Sequence, residues 1–171
     1  QTIYAYISDG GIQEEISQGA GRIAGHLGLD NLIMYYDANN VQLSTTVEEV
    51  DSEDVAAKYT AWGWHVLKID GCCPDAIRKA LREAKATVGK PTLIIMGRGA
   101  VGADGENYEN RVNTHGQPLS AAGASIEATI KNLGGDPEAP FQIFPDVQEL
   151  YAKRLHELRE LAKARKQEEK T

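Results

Sequence analysis

Residues 3–17 read IYAYISDGGIQEEIS, and this stretch decides the fold. Its first five residues, Ile3, Tyr4, Ala5, Tyr6 and Ile7, form a short apolar run rich in β-branched and aromatic side chains, as a buried strand requires. The run ends in Ser8, Asp9, Gly10 and Gly11, and a helical pattern starts at once: Ile12, Ile16, Ala20, Ile23, Ala24 and Leu27 recur at helical spacing. Strand, acidic glycine corner, helix is the opening of a βαβ unit.

Working outward, residues 32–36, 65–69 and 93–96 are three further short apolar runs that read as strands. Between the last two, Ile77, Ala80, Leu81, Ala84 and Val88 mark another crossover helix, with Pro74 at its start; Gly28 and Gly89 fall just past the two helical stripes. The alternation predicts an α/β fold, a mostly parallel open sheet with helices on both faces and binding sites at the carboxyl ends of its strands. After Met96 the pattern dissolves into GRGAVGADGENYENRVNTHGQPLS, residues 97–120, a long polar and glycine-rich stretch of the kind that is functional or mobile. A helix over residues 122–133 follows. A last amphipathic helix after Pro145 carries Val147, Leu150, Tyr151, Leu155, Leu158 and Leu161 on one face. Residues 1–145 are expected to form the binding domain and residues 146–171 a terminal helix leading into a linker. Opening mid-strand and closing on a charged helix, the chain reads as a partial domain cut from something longer.

The 171 residues and 42% apolar content suit one ordinary domain. A net charge of −7, with no basic patch, argues against a nucleic-acid partner. No apolar run is long enough for a membrane span, and neither a membrane nor a secretion signal is expected from the residues present. Adjacent Cys72 and Cys73 are too few and too close to staple a fold, so a reducing, cytoplasmic setting is expected. Tyr59, Trp62 and Trp64 read as helix-to-strand packing.

The chemistry concentrates at two strand ends. Asp9 follows the first strand and Asn39 the second, 30 positions on, and adjacent parallel strands would make them neighbours. A carboxylate and an amide oxygen suit Mg²⁺ or Ca²⁺, and Mg²⁺ with few protein ligands completes its octahedron with water and phosphate oxygens. Gly10 and Gly11 would leave backbone N–H groups for an anion at the start of the helix. A metal-bridged pyrophosphate fits both halves, although Asp-Gly after a strand is also a common turn.

SDGGIQEEIS, with Asn39 30 positions after its Asp, is similar to the thiamine-diphosphate motif that begins Gly-Asp-Gly and ends in Asn. GRIAGHLGLDNLIMYYDANNVQLS, AAKYTAWGWHVLKIDG, KPTLII and THGQPL extend the likeness along nearly the whole chain, which resembles transketolase. The resemblance implies a thiamine-diphosphate-binding fold in which Asp9 and Asn39 hold the divalent ion by side chain and Val41 by its carbonyl. It further implies that Gly10 offers its backbone to the diphosphate, that Glu14 lies near the cofactor, and that His115 reaches the diphosphate and the reacting centre as a catalytic residue. The implied activity moves a two-carbon ketol unit between sugar phosphates, in a homodimer or with a partner chain. The chain alone is expected to be inactive.

Three positions bear on the likeness. Ser8 replaces the first glycine of the motif, while Asn39-Asn40 is kept. The family usually has a short Lys-Thr-containing piece between PTLI and IGxG, whereas here Ile95 runs straight into Met96. Met96 then takes the place of the apolar residue that packs on the cofactor, with Val101 a weaker claimant. Other thiamine-diphosphate enzymes, deoxyxylulose-phosphate synthase or a 2-oxo acid dehydrogenase subunit, share the metal motif, and a non-catalytic split subunit or phosphate-binding module is the remaining alternative.

Overall fold

The computed structural model describes residues 1–97 and 108–168. Four strands, β1 (Ile3–Ser8), β2 (Leu32–Ala38), β3 (His65–Asp70) and β4 (Thr92–Gly97), form one all-parallel sheet in the order β1-β2-β4-β3. Among the described residues the helices are α1 (Asp9–Gln13), α2 (Glu15–His26), α3 (Val55–Ala61), α4 (Pro74–Ala86), α5 (Ile126–Asn132) and α6 (Pro145–Glu168). The described chain forms two compact units, residues 1–129 and 130–171.

The two inner strands carry the core. On one sheet face Tyr36 and Leu93 pack with Ile12, Ala24, Tyr59 and Trp64; on the other Ile33 and Ile94 pack with Ala80 and Ala84 of α4. Full burial of side chains such as Leu93 and Ile94 stabilises by roughly 1.5–3 kcal/mol each. Helices on both faces of a parallel sheet are thus observed, and the α/β reading holds. The aromatic trio seals the first face: Tyr59 lies 4.8 Å from Trp62 and 5.1 Å from Trp64, and the Trp64 indole donates to the Gly21 carbonyl at 2.8 Å. α2 approaches so closely that a Cβ on Gly25 would lie 2.0 Å from the Trp62 carbonyl oxygen.

The first helix differs from the sequence expectation. It breaks at Glu14, whose backbone is extended (φ −65°, ψ 132°), into α1 and α2. The Gln18 side chain donates to the Gln13 carbonyl at 3.0 Å, which satisfies an acceptor that the break strands. The apolar stripe divides accordingly: Ile12 and Ala24 are buried, whereas Ile16, Ile23 and Leu27 are exposed. The helix expected over 122–133 is shorter, and residues 119–122 form a 3₁₀ turn closed by Gly123. β4 runs through Ile95-Met96 without interruption, paired to β2 and β3.

Within the second unit, α6 exposes Leu150, Tyr151, Leu155, Leu158 and Leu161. Ion pairs Arg154–Glu157 and Glu160–Lys163, each i,i+3, lie along its exposed surface. No described helix is long and apolar enough to cross a membrane.

Candidate cation and diphosphate site

Parallel register sets Ser8 beside Asp37, so the chain leaves β1 and β2 at one edge of the sheet. Ser8 accepts a long hydrogen bond from the Gly11 amide and caps α1, which places Asp9 in the first turn with its side chain turned inward. Asp9 is 2% exposed. Its Oδ1 accepts a 2.6 Å hydrogen bond from the Tyr36 hydroxyl, and its Oδ2 is buried without a hydrogen-bond partner among the described residues. Burial pushes the Asp9 carboxyl above the usual aspartate range; the Tyr36 bond and the Asn40 and Asn39 amides pull it back, and the Asp37 charge adds to the rise. Burial, then the bond to Asp9, pushes the Tyr36 phenol upward too. A second phenol, Tyr6, donates to Asp37 at 2.8 Å and is pushed up to about 12 by burial and then by that contact.

Beyond β2 the chain turns sharply. Asn40 is left-handed (φ 63°), and the Asn39 side-chain oxygen accepts from the Val41 amide at 3.1 Å. No described donor reaches the Val41 carbonyl. The Asn40 side chain donates to Asn110 at 3.0 Å and ties this loop to the later segment carrying His115. Asn39, Val41 and His115 line one cavity of about 150 Å³, together with Tyr108, Asn110 and Thr114.

Of the residues expected from sequence, the structure brings Asn39, Val41 and His115 together and sets Asp9 within electrostatic reach of Asn39. Gly10 is exposed, and a Cβ there would meet nothing within 4 Å, so no packing in the chain requires a glycine. At Gly11 a Cβ would lie 3.0 Å from Ile7, so that glycine serves the fold. Glu14 is exposed at the helix break. Met96 packs against the α4 cluster, on the sheet face opposite Tyr36. Val101 lies outside the described residues. Sequence reasoning missed Tyr36 and Asn110; the first carries no signal beyond being an aromatic in a buried strand, and the second none.

The residues fit a hard divalent cation. An orphaned, buried carboxylate oxygen costs roughly 1–3 kcal/mol or more without a partner, and a cation would offset it. No group of three or more His, Cys, Asp or Glu residues suited to a metal occurs among the described residues. A cation there would meet one carboxylate, one amide and one carbonyl, all oxygens.

The family model described as "Transketolase, thiamine diphosphate binding domain" matches residues 1–170. This chain belongs to the transketolase family. It is 36% identical over 149 residues to transketolase 2 of Xanthobacter flavus, covering 86% of this chain and 21% of that protein. The likeness to chloroplastic transketolase-1 of Arabidopsis thaliana is 37% over 156 residues, covering 90% and 20%. Among solved structures, transketolase from Campylobacter jejuni superimposes with a TM-score of 0.82 at 34% identity, over 95% of this chain and 25% of the other. A Pichia stipitis transketolase in complex with sedoheptulose 7-phosphate gives 0.82 at 27% identity, over 95% and 24%. The chain thus spans about a fifth of the length of the curated transketolases it matches, in the thiamine-diphosphate-binding domain.

Proposed function

We propose that this chain forms the cation- and diphosphate-holding part of a transketolase, an enzyme that moves a two-carbon ketol unit from a ketose phosphate to an aldose phosphate. The observation that carries the reading is the buried Asp9 oxygen without a partner beside Asn39, at the strand ends where a parallel sheet places its ligands. Asp9, the Asn39 side chain and the Val41 carbonyl would hold Mg²⁺ or Ca²⁺. Gly10 would let its backbone approach the diphosphate, because no described residue lies within 4 Å of a Cβ built there. When bound, thiamine diphosphate supplies the nucleophilic carbon that the protein lacks. His115, exposed and lining the cavity that also holds Asn39 and Val41, would donate to the diphosphate or to a substrate oxygen. Glu14 at the helix break and Met96 at the end of β4 stand further from this cavity in role, Met96 being held in the α4 packing.

Spanning about a fifth of its relatives, the chain is proposed to need further polypeptide, as a homodimer of a longer protein or as a partner chain, for sugar-phosphate turnover. Calorimetric titration of thiamine diphosphate into the chain, with and without Mg²⁺, tests the reading. Cation-dependent binding is the expected result. Binding that ignores the cation would remove Asp9 and Asn39 from the proposal, and substantial ketol transfer by this chain alone would overturn the need for a partner.

A further inference from the structure

We propose that Tyr36 is a positioning residue: it presents Asp9 to the cation through a single oxygen and so tilts the site toward small octahedral ions over larger ones. The inference rests on the cation reading above. Tyr36 is 6% exposed in an inner strand, and its hydroxyl donates to Asp9 Oδ1 at 2.6 Å, within the range of strong bonds to a carboxylate. That bond fixes the rotation of the carboxylate and draws charge from Oδ1. The partnerless Oδ2 remains as the oxygen that can meet an ion.

Simple packing does not account for the contact. Tyr59, 0% exposed in the same core, keeps its hydroxyl buried with no hydrogen-bond partner among the described residues, so this interior holds a phenol without a described acceptor. The second side-chain donor is fixed in a similar way, because the Val41 amide binds Asn39 Oδ1 at 3.1 Å. Both oxygens are therefore oriented by the chain's own donors before any ion arrives. Mg²⁺ demands near-ideal octahedral geometry from a few oxygens, whereas Ca²⁺ takes six to eight, often through two-oxygen carboxylate contacts. A carboxylate held by one oxygen withholds the additional contact from the larger ion. A phenol acting through a ligand belongs to the outer partners of a metal site, whose loss typically costs 10–100-fold in affinity.

The test compares the full chain with Tyr36→Phe in titrations of Mg²⁺ and, separately, Ca²⁺ at fixed thiamine diphosphate. Infrared spectra of ¹³C-aspartate-labelled wild type with each ion accompany them. Mg²⁺ affinity is expected to fall about tenfold in Tyr36→Phe, with Ca²⁺ affinity changing much less. The wild-type carboxylate bands are expected to show one-oxygen binding with both ions. Equal weakening for both ions, with unchanged melting, would make Tyr36 a packing residue and overturn the inference while leaving the cation reading intact. Two-oxygen binding of Ca²⁺ in the wild type would overturn it even if the variant did not fold. No cation-dependent binding by wild type would remove the cation reading and this inference together.

Discussion

Among the described residues two Asp-Gly pairs stand at strand ends, Asp9-Gly10 after β1 and Asp70-Gly71 at the end of β3, and their surroundings are opposite. Asp70 is exposed, and its Oδ1 accepts from the Cys72 amide at 2.9 Å, the ordinary way an aspartate closes a turn. Gly71 is required by packing, since a Cβ there would lie 2.9 Å from the Met96 Cβ. Asp9 is buried with one oxygen lacking a partner, and Gly10 has open space over it. The same dipeptide is turn chemistry in one place and a buried carboxyl with one open oxygen in the other. What separates them is the neighbouring strand. Next to β1, β2 supplies Tyr36 and the turn after it the Asn39 and Asn40 amides, and next to β3, β4 supplies Met96 and Gly97 against the glycine.

The largest expected effect breaks the pair apart by charge. Asp9→Ala should weaken Mg²⁺-dependent thiamine-diphosphate binding by about 100-fold or more, equivalent to roughly 2.8 kcal/mol, whereas Asp70→Ala should leave it unchanged in the same titration. Equal losses would erase the distinction. Next come the glycines. Gly71→Ala should destabilise the chain by about 1–3 kcal/mol through the forced contact with Met96, read as a fall in the denaturation midpoint. Gly10→Ala should fold at least as well, gaining up to about 1 kcal/mol from helix propensity, yet bind the diphosphate less well.

A third prediction concerns pH. The folded-state pKa of Asp9 is raised, first by burial, so the folded chain holds that proton more tightly than the unfolded one. Without cation, the contribution of Asp9 to stability should therefore be fully present below the ordinary aspartate pKa. It should decline as pH rises from there through the raised folded value and stay lower above it. Melting curves across this window should show the decline in the wild type, and Asp9→Asn should lose it. Saturating Mg²⁺ with thiamine diphosphate should shrink it, because the cation stabilises the ionised form. The smallest effect belongs to Ser8→Gly. The cap it removes is a single long bond to the Gly11 amide, and such an exchange costs only about 0.3 kcal/mol. Binding should not change, so Ser8 and the glycine of the family motif would be interchangeable at this corner.

Much of the architecture was legible because it is periodic. The inner strands β2 and β4 leave unbroken apolar runs, of which Thr92 to Ile94 is the most fully buried. By contrast β1, which the same pattern reads as buried, is an edge strand that exposes Ile3, Tyr4 and Tyr6. The break at Glu14 was not legible, because Gln18 stabilises it by a contact five residues back that no apolar pattern reports. The apolar stripe of α6 was readable, but pattern alone does not say whether a stripe finds a partner, and in its unit these side chains are exposed. At the site, Asp9, Asn39, Val41 and His115 were named through residue types, spacing and resemblance. Met96 was named too, yet alternation along β4 turns it to the α4 face, and a resemblance across a shortened segment does not report which face a residue takes.

The sequence by itself determined the parallel α/β class and the place of Asp9 and Asn39 at neighbouring strand ends, since periodicity and spacing are local properties of the chain. Only the tertiary structure decided that Tyr36 engages Asp9, that Asn40 reaches Asn110, and that one Asp-Gly pair is buried while the other is not. Burial and hydrogen bonding across 27 and 70 positions depend on which surfaces meet when the sheet closes, and that is a property of the packed chain.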